Sequence, residues 1–281
     1  MIAQTLTKTK NQKLIDYFKK YHSVIVAFSG GVDSTAVLYA AIKALGKGNV
    51  ISVIANSELY SQIEYEKAKK LSQNLGAKTV VTTIQYLKNE DVRNNTPDSW
   101  YYAKKMFYDR LNNIKQQFNA DVVIDGMNKD DLNDYRPGFK ARDEAGALSP
   151  LQELGFTKQD VRQFTHDNGL KNWNKVHSCS ISSRFPYNTV LTHQKIERVM
   201  AAENYLRGKG FDNVRVRYVG TSAQIEVEPE KMDSLFKIKN EIYNEFKKLG
   251  FLFVTVDLGG FKSGNMNSEL SQKQIFKYRV Y

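Results

Sequence analysis

Six consecutive residues, Ser29-Gly30-Gly31-Val32-Asp33-Ser34, form the first segment of this chain with the makings of chemistry. They follow a short apolar run, Val24 to Phe28, and open a helical pattern. Glycines at such a junction let the backbone turn sharply and bring its N–H groups against phosphate oxygens. The helix N-terminus adds the positive end of its dipole. Ser29, Ser34 and Thr35 offer hydroxyl donors, and Asp33 can face a Mg²⁺ shared with the phosphates. The Gly-Lys-Ser/Thr ending of a Walker loop is missing. A ligand-free glycine turn is the bland alternative, and the strand before and helix after favour nucleotide binding over it.

Two further groups stand out by residue type. Cys179 is the single cysteine, which excludes an intrachain disulfide, a CxxC redox pair and a multi-cysteine metal or iron–sulfur site. It fits a reducing, cytoplasmic compartment. Lys175, His177 and Arg184 lie near it in sequence, and positive neighbours favour a thiolate. An inert buried thiol is as good a reading of the residues alone. Arg215 and Arg217 alternate with Val214 and Val216, so a strand would carry both guanidinium groups on one face. That face is either an anion clamp or an exposed basic surface.

The elements that must position these groups follow from periodicity. Leu14, Ile15 and Phe18 mark a first helix over 11–21. Strands are expected at 24–28, 50–55, 79–84 and 120–125, with helices at 33–45, 63–75 and 101–118 between them. Gly46 is a plausible stop for the second helix. Such alternation implies βαβ units, a parallel sheet, and ligands at the strands' C-terminal ends. After residue 170 the pattern changes. A polar, irregular stretch over 171–188 precedes a helix at 193–208, strands at 213–218 and 223–228, a helix at 230–249 and a strand at 251–257. The fold class is therefore α/β, with an N-terminal domain over 1–185 and a smaller C-terminal α+β domain over 186–281.

Length and composition agree with about two soluble domains: 281 residues and 41% hydrophobic content. No apolar stretch approaches a membrane span, and the N-terminal MIAQTLTKTKNQKL lacks the apolar core of a signal peptide. The net charge of +11 suits either a solvated lysine surface or a polyanionic partner. With no RNP1 motif, KH loop or zinc finger, nucleic acid is an unlikely main substrate.

The SGGVDS loop resembles that of the PP-loop ATP pyrophosphatases, an adenine nucleotide alpha hydrolase-like superfamily that cleaves ATP between its α- and β-phosphates. The resemblance implies an adenine site at Ala55-Asn56-Ser57. It also implies further nucleotide and metal contacts at Asp125-Gly126-Met127-Asn128-Lys129-Asp130-Asp131. The run Pro150-Leu151-Gln152-Glu153-Leu154, with Lys158, Val161 and Arg162, matches an element of these domains and reads as structural, starting and orienting a helix.

Longer runs narrow the resemblance. Asn94 to Lys105, Asn133 to Gly138, Ser178 to Tyr187, Val214 to Arg217 and Asp257 to Phe261 are similar, in order, to the ATP-dependent sacrificial sulfur transferases, the LarE family of nickel-pincer nucleotide cofactor biosynthesis. The resemblance implies adenylation of a carboxylate of pyridinium-3,5-biscarboxylic acid mononucleotide by ATP and Mg²⁺. Cys179 would attack the adenylate, and elimination would leave thiocarboxylate on the substrate and dehydroalanine in the protein. It implies ATP contacts from Ser29, Gly30, Gly31, Asp33, Ser34, Ala55, Ser57 and Gly126. Substrate contacts fall to Ser183, Arg184, Arg215 and Arg217, with Trp100 stacking on pyridinium or adenine unless it is a core aromatic. Asp33 would bind metal, as would Glu203 and Glu226 unless these two are surface charges. The family also implies a homo-oligomer, often a hexamer. Asn188 replaces a common glycine of the family, and the loop is expected to tolerate it because Asn accepts φ > 0. Rival readings are a tRNA-thiolating PP-loop enzyme, against which the missing paired cysteines count; an amidating ligase like NAD synthetase, which would leave Cys179 idle; and a nucleotide-sensing module without activity.

Overall fold

The structure is a computed structural model and describes residues 9–133, 135–175, 180–262 and 264–278. In chain order, α1 (Lys10–Phe18) is followed by β1 (Val24–Ala27), α2 (Val32–Leu45), β2 (Val50–Asn56), α3 (Gln62–Leu75) and β3 (Lys78–Thr83). Then come the one-turn α4 (Glu90–Arg93), α5 (Ser99–Gln117) and β4 (Val122–Ile124). The four strands pair in parallel in the order β3-β2-β1-β4. The order reverses beside β1, so the crevice above the C-terminal ends of β1 and β4 is where an open α/β sheet binds its ligands. The expected α/β layout is present.

Helices α6 (Gly138–Glu144), α7 (Pro150–Glu153) and α8 (Lys158–Asp167) complete this half. Pro150 sits at the first turn of α7, and Leu151, Phe156, Val161 and Phe164 join α2 in one buried cluster. A capping box starts α8: Asp160 N donates to Thr157 Oγ1 at 3.2 Å and Thr157 N donates to Asp160 Oδ2 at 2.8 Å. β4 is shorter than its apolar run suggests. Leu148 comes alongside Ile124, and Asp125 N donates to Leu148 O, so the chain continues through a bridge rather than a longer strand.

The second half holds α9 (His193–Gly208), β5 (Arg215–Val219), β6 (Ser222–Glu226), α10 (Met232–Lys237), α11 (Lys239–Lys248), β7 (Phe253–Val256) and α12 (Gln272–Lys277). Its sheet runs β5-β6-β7, antiparallel across the first pair and parallel across the second. The single helix expected over 230–249 is broken at Ile238, whose backbone leaves the helical region at φ −110°, ψ 20°. No proline or glycine marks that break, so periodicity could not show it. The second hydrophobic core is shared: Leu59, Ile84, Tyr86 and Val92 pack with Ile181, Phe185 and the inner residues of the second sheet.

Two late features bear on the site. Asn188 has φ 64°, the left-handed conformation that its place in the loop led us to expect, and its N–H donates to Asn95 O. The segment 264–278 returns to the first half. Tyr278 donates its hydroxyl to Asp98 at 2.8 Å, Lys277 pairs with the same carboxylate at 2.5 Å, and the rings of Tyr101 and Tyr278 stack.

Candidate active site

Only one glycine of the phosphate loop needs its conformational freedom. Gly30 has φ 69°, and a Cβ there would stand 2.8 Å from the Cβ of Ala68 on α3. Gly31 has the ordinary φ of an N-cap, −77°. The hydroxyls hold the loop in shape. Gly31 N donates to Ser29 Oγ, Ser29 Oγ lies 3.2 Å from Ser34 Oγ, and Thr35 Oγ1 donates to Gly31 O at 2.8 Å. At the neighbouring strand end, a Cβ on Gly126 would meet Ser34 N at 2.8 Å. The β4 loop and the phosphate loop therefore touch backbone to backbone, and only glycine fits between them.

Asp33 is held from two sides. Asn128 Nδ2 donates to its Oδ1 at 3.1 Å, and Lys158 pairs with its Oδ2. Lys158 belongs to the segment read from sequence as structural. That reading holds and gains a contact: Leu151 and Val161 build the core, and the lysine at the start of α8 also reaches the phosphate loop. Behind this, Asp125 is buried and accepts from Tyr108 and Ser149, each at 2.5 Å, while Arg142 ties Ser149 to Gln152. Burial, then the charge of Asp125 and the bond to it, push the Tyr108 hydroxyl well above its usual pKa, so it stays a donor.

The outer flank of the loop is tied to the segment that leads toward Cys179. Asn172 Nδ2 donates to Thr35 Oγ1 at 2.9 Å and to Gly30 O at 3.3 Å. Lys175 Nζ donates to Gly30 O at 3.2 Å and pairs with Glu64 at 2.7 Å. Cys179 itself, with Val176, His177 and Ser178, lies outside the described residues. On its far side Ser180 is buried, and Ile181 N donates to Leu59 O. Leu59 in turn gives its N–H to Ser57 Oγ, at the end of β2 where Ala55 and Asn56 also lie. Beside Ser57 opens a cavity of about 430 Å³ lined by Asn56, Thr83, Gln85 and His193 among others.

The arginines are not a surface. Arg184, Arg215 and Arg217 are 3%, 5% and 5% exposed, and Glu203 and Glu226 are 2% and 1% exposed. Arg184 Nε donates to Glu203 Oε1 at 2.7 Å, and Arg207 donates to Oε2 at 2.5 Å. Arg217 holds Glu226 with two bonds, 2.9 and 2.6 Å, and gives a third to Ser183 O at 2.7 Å. Arg184 also donates to Ser183 Oγ at 2.6 Å. Arg215 lies over the ring of Phe261. Burial alone would raise the Glu203 carboxyl, but Arg184, then Arg207 and Arg215, hold it below the ordinary carboxylate range. Arg184 and Arg207 thus converge on Glu203, Arg217 holds Glu226, and Arg215 lies beside them on β5.

The sequence-chosen residues fall into two groups. Ser29, Gly30, Gly31, Asp33, Ser34 and Gly126 meet at the β1–β4 crevice, with Ala55 and Ser57 one strand over. Ser183, Arg184, Arg215, Arg217, Glu203 and Glu226 meet at the second sheet. Trp100 is half-buried in the first turn of α5. Among the described residues no group of three His, Cys, Asp or Glu is placed to hold a metal, and no helix is long and apolar enough to cross a membrane.

The NAD synthase family model matches residues 6–121, the part that carries the phosphate loop. Pyridinium-3,5-bisthiocarboxylic acid mononucleotide synthase of Lactiplantibacillus plantarum is 52% identical over 95% of this chain and 97% of its own length. The chain belongs to the LarE family. An uncharacterized protein of Synechocystis is 36% identical over 95% of the chain and all of its own. By contrast, the glutamine-dependent NAD(+) synthetase of Aquifex aeolicus matches only 26% of the chain, at 42% identity. LarE-family likeness therefore spans both sheets, whereas this NAD synthetase match covers about a quarter of the chain.

Proposed function

We propose that this LarE-family enzyme transfers sulfur from its own Cys179 to pyridinium-3,5-biscarboxylic acid mononucleotide after adenylating a carboxylate of that substrate with ATP. The observation that carries the reading is the anchoring on either side of Cys179. Lys175 is bonded to the phosphate loop, and Ile181 to the residue beside the β2 end. The donor cysteine is therefore bracketed by two contacts to the nucleotide half, while Ser183 and Arg184, just beyond, belong to the arginine cluster.

In this reading the loop N–H groups and the N-terminus of α2 bind the outer phosphates. Asp33 is the ligand for Mg²⁺, an ion that usually takes one or two carboxylates together with substrate phosphates, and a single acid flanked by Asn128 fits that demand. The ion would neutralise phosphate charge, and Lys158 would be free to do the same when Asp33 turns to it. Ser183, Arg184, Arg215 and Arg217 clamp the substrate's 5′-phosphate, a dianion that guanidinium groups hold through charge-assisted, paired hydrogen bonds. Glu203 and Glu226 aim these guanidiniums; their oxygens face arginine, which opposes a second cation. Ala55, Ser57 and Gly126 frame the adenosine, and Trp100 covers the pyridinium. The substrate carboxylate attacks the α-phosphorus and pyrophosphate departs. The Cys179 thiolate then displaces AMP to form a thioester, and loss of its Cα proton cleaves the Cβ–S bond, leaving thiocarboxylate and dehydroalanine. We read the chain as two domains divided near residue 185, acting in the cytoplasm as a homo-oligomer.

Intact-protein mass spectrometry with ATP, Mg²⁺ and the dicarboxylate tests this. The protein should lose about 34 Da, the mass of H₂S, and accept a thiol reagent at position 179. Cys179→Ala should still adenylate the substrate and release pyrophosphate, because that step precedes the thiolate attack, but yield no thiolated product. Thiolated product from the alanine variant, or ADP in place of AMP, would overturn the reading.

A further inference from the structure

One cation at the β4 end has no assigned work. Lys104 sits on α5, one turn after Trp100 and one turn before Tyr108. Its stem lies against Gly138, where a Cβ would stand 3.0 Å from Lys104 Cγ, so the glycine leaves the lysine its passage inward. The side chain is half-buried, yet among the described residues its ammonium makes no hydrogen bond and no ion pair. Its one recorded contact is the edge of a cation–π approach, 5.8 Å from the Phe107 centroid. The charges that face it are Asp125, Asp131 and Arg136. The acids are already engaged: Asp125 by Tyr108 and Ser149, and Asp131 by Arg136 at 2.7 Å and by Asn128 N–H. Desolvation draws the Lys104 pKa below the ordinary lysine value; Asp125 and Asp131 oppose this and Arg136 adds to it.

A desolvated ammonium whose neighbouring acids are spoken for is short of an anion, and its place says which one. Asp125 continues into Gly126, which touches the backbone of Ser34 in the phosphate loop. Lys104 therefore faces the residue that leads into the phosphate-loop contact, and it lies one helical turn from Trp100 on α5. We propose that Lys104 is a catalytic residue that binds the α-phosphate oxygens of the nucleotide as the acceptor carboxylate attacks. The inference rests on the adenylation reading above. In that step a carboxylate oxygen forms a bond to the α-phosphorus, and the bond from the α-phosphorus to the bridging oxygen breaks. Pyrophosphate leaves with the electron pair, and Lys104 keeps its protons while its N–H groups meet the charge that grows on the α-phosphoryl oxygens.

Calorimetry with AMP and with adenosine separates this role from a structural one, because the two ligands differ only in the phosphate. Lys104→Met should weaken AMP by about ten-fold or more, as loss of a charge-assisted hydrogen bond does, and leave adenosine unchanged. Lys104→Arg should recover most of the AMP affinity. In turnover, Lys104→Met should lower the rate of pyrophosphate release by about a hundred-fold even at saturating ATP. Wild-type AMP affinity in Lys104→Met would overturn the proposal, as would an equal loss for adenosine. A wild-type enzyme that binds AMP no better than adenosine would remove the nucleotide reading itself, and Lys104 with it. If AMP binding follows the expected order but no sulfur is transferred, the Cys179 step fails and Lys104 stands.

Discussion

The phosphate loop and the arginine cluster are built in opposite ways. The loop uses backbone N–H groups, short hydroxyls and one left-handed glycine, all within a few residues of one another. Its one carboxylate, Asp33, is met by a lysine more than a hundred residues away. The cluster uses long side chains from the turn at 181–184, from α9, and from β5 and β6, and it buries its charges in pairs. Local backbone can wait for a ligand cheaply, because water satisfies it meanwhile. Buried guanidiniums cannot, so they are held by carboxylates. The first kind of site tolerates few changes of backbone shape, the second few changes of charge.

Breaking a pair in the cluster should give the largest effect. Arg217→Ala strands Glu226 in the core and should cost about 3–5 kcal/mol of unfolding free energy, measured by urea titration, because a lone buried charge remains. The substrate KM should rise more than that for ATP. A loss below 1 kcal/mol, roughly that of an exposed pair, would mean that the cluster is hydrated and the contrast with the loop is false.

Gly30→Ala attacks the loop through shape. The φ of 69° and the approach to Ala68 at 2.8 Å should together cost about 2 kcal/mol and slow AMP formation, with the substrate-side affinity unchanged. Stability equal to wild type would show that the loop relaxes freely. Thr157→Ala is a milder probe of the same half. It removes the cap of α8, the helix that presents Lys158, and should cost about 1 kcal/mol. Thermal unfolding and the Mg²⁺ dependence of adenylation would both report it.

Acid should sharpen the comparison by a smaller margin. Glu203 has a folded pKa below its unfolded one, so its contribution is complete above the unfolded value and disappears as pH falls through the folded one. Glu203→Gln should flatten that part of the pH–stability curve, well below pH 4 or so, the usual range for Glu. At the alkaline end the smallest effect should appear. The Lys104 ammonium loses its proton below the usual lysine range, so AMP affinity should fall as pH rises toward that range, and the fall should vanish in Lys104→Met.

The same contrast explains what the sequence made legible. SGGVDS could be read because its parts are neighbours in sequence and its context is a strand and a helix. The parallel sheet was legible for the same reason, through runs such as Val50–Asn56. Arg215 and Arg217 could be paired by strand period, but their burial against Glu226 and beside Glu203 depends on contacts that no spacing shows. The reach of Lys158 to Asp33 was not legible, because only the packing of α8 against α2 carries it there. Lys104 lay unremarked in a run picked out for its family resemblance, since the glycine that lets it inward lies 34 residues later. The break at Ile238 had no signal at all.

The return of the segment 264–278 to Asp98 and Tyr101 sets an order in time for a chain emerging from the ribosome. Among the described residues the ties of the phosphate loop run as far as Lys175, and they can close once that much chain is out. The outer wall of α5, which carries Trp100, keeps Asp98 without its partners until Lys277 and Tyr278 have followed. N-terminal units generally fold first during synthesis. A nascent chain would therefore own a finished phosphate loop well before it owns a finished wall along the start of α5.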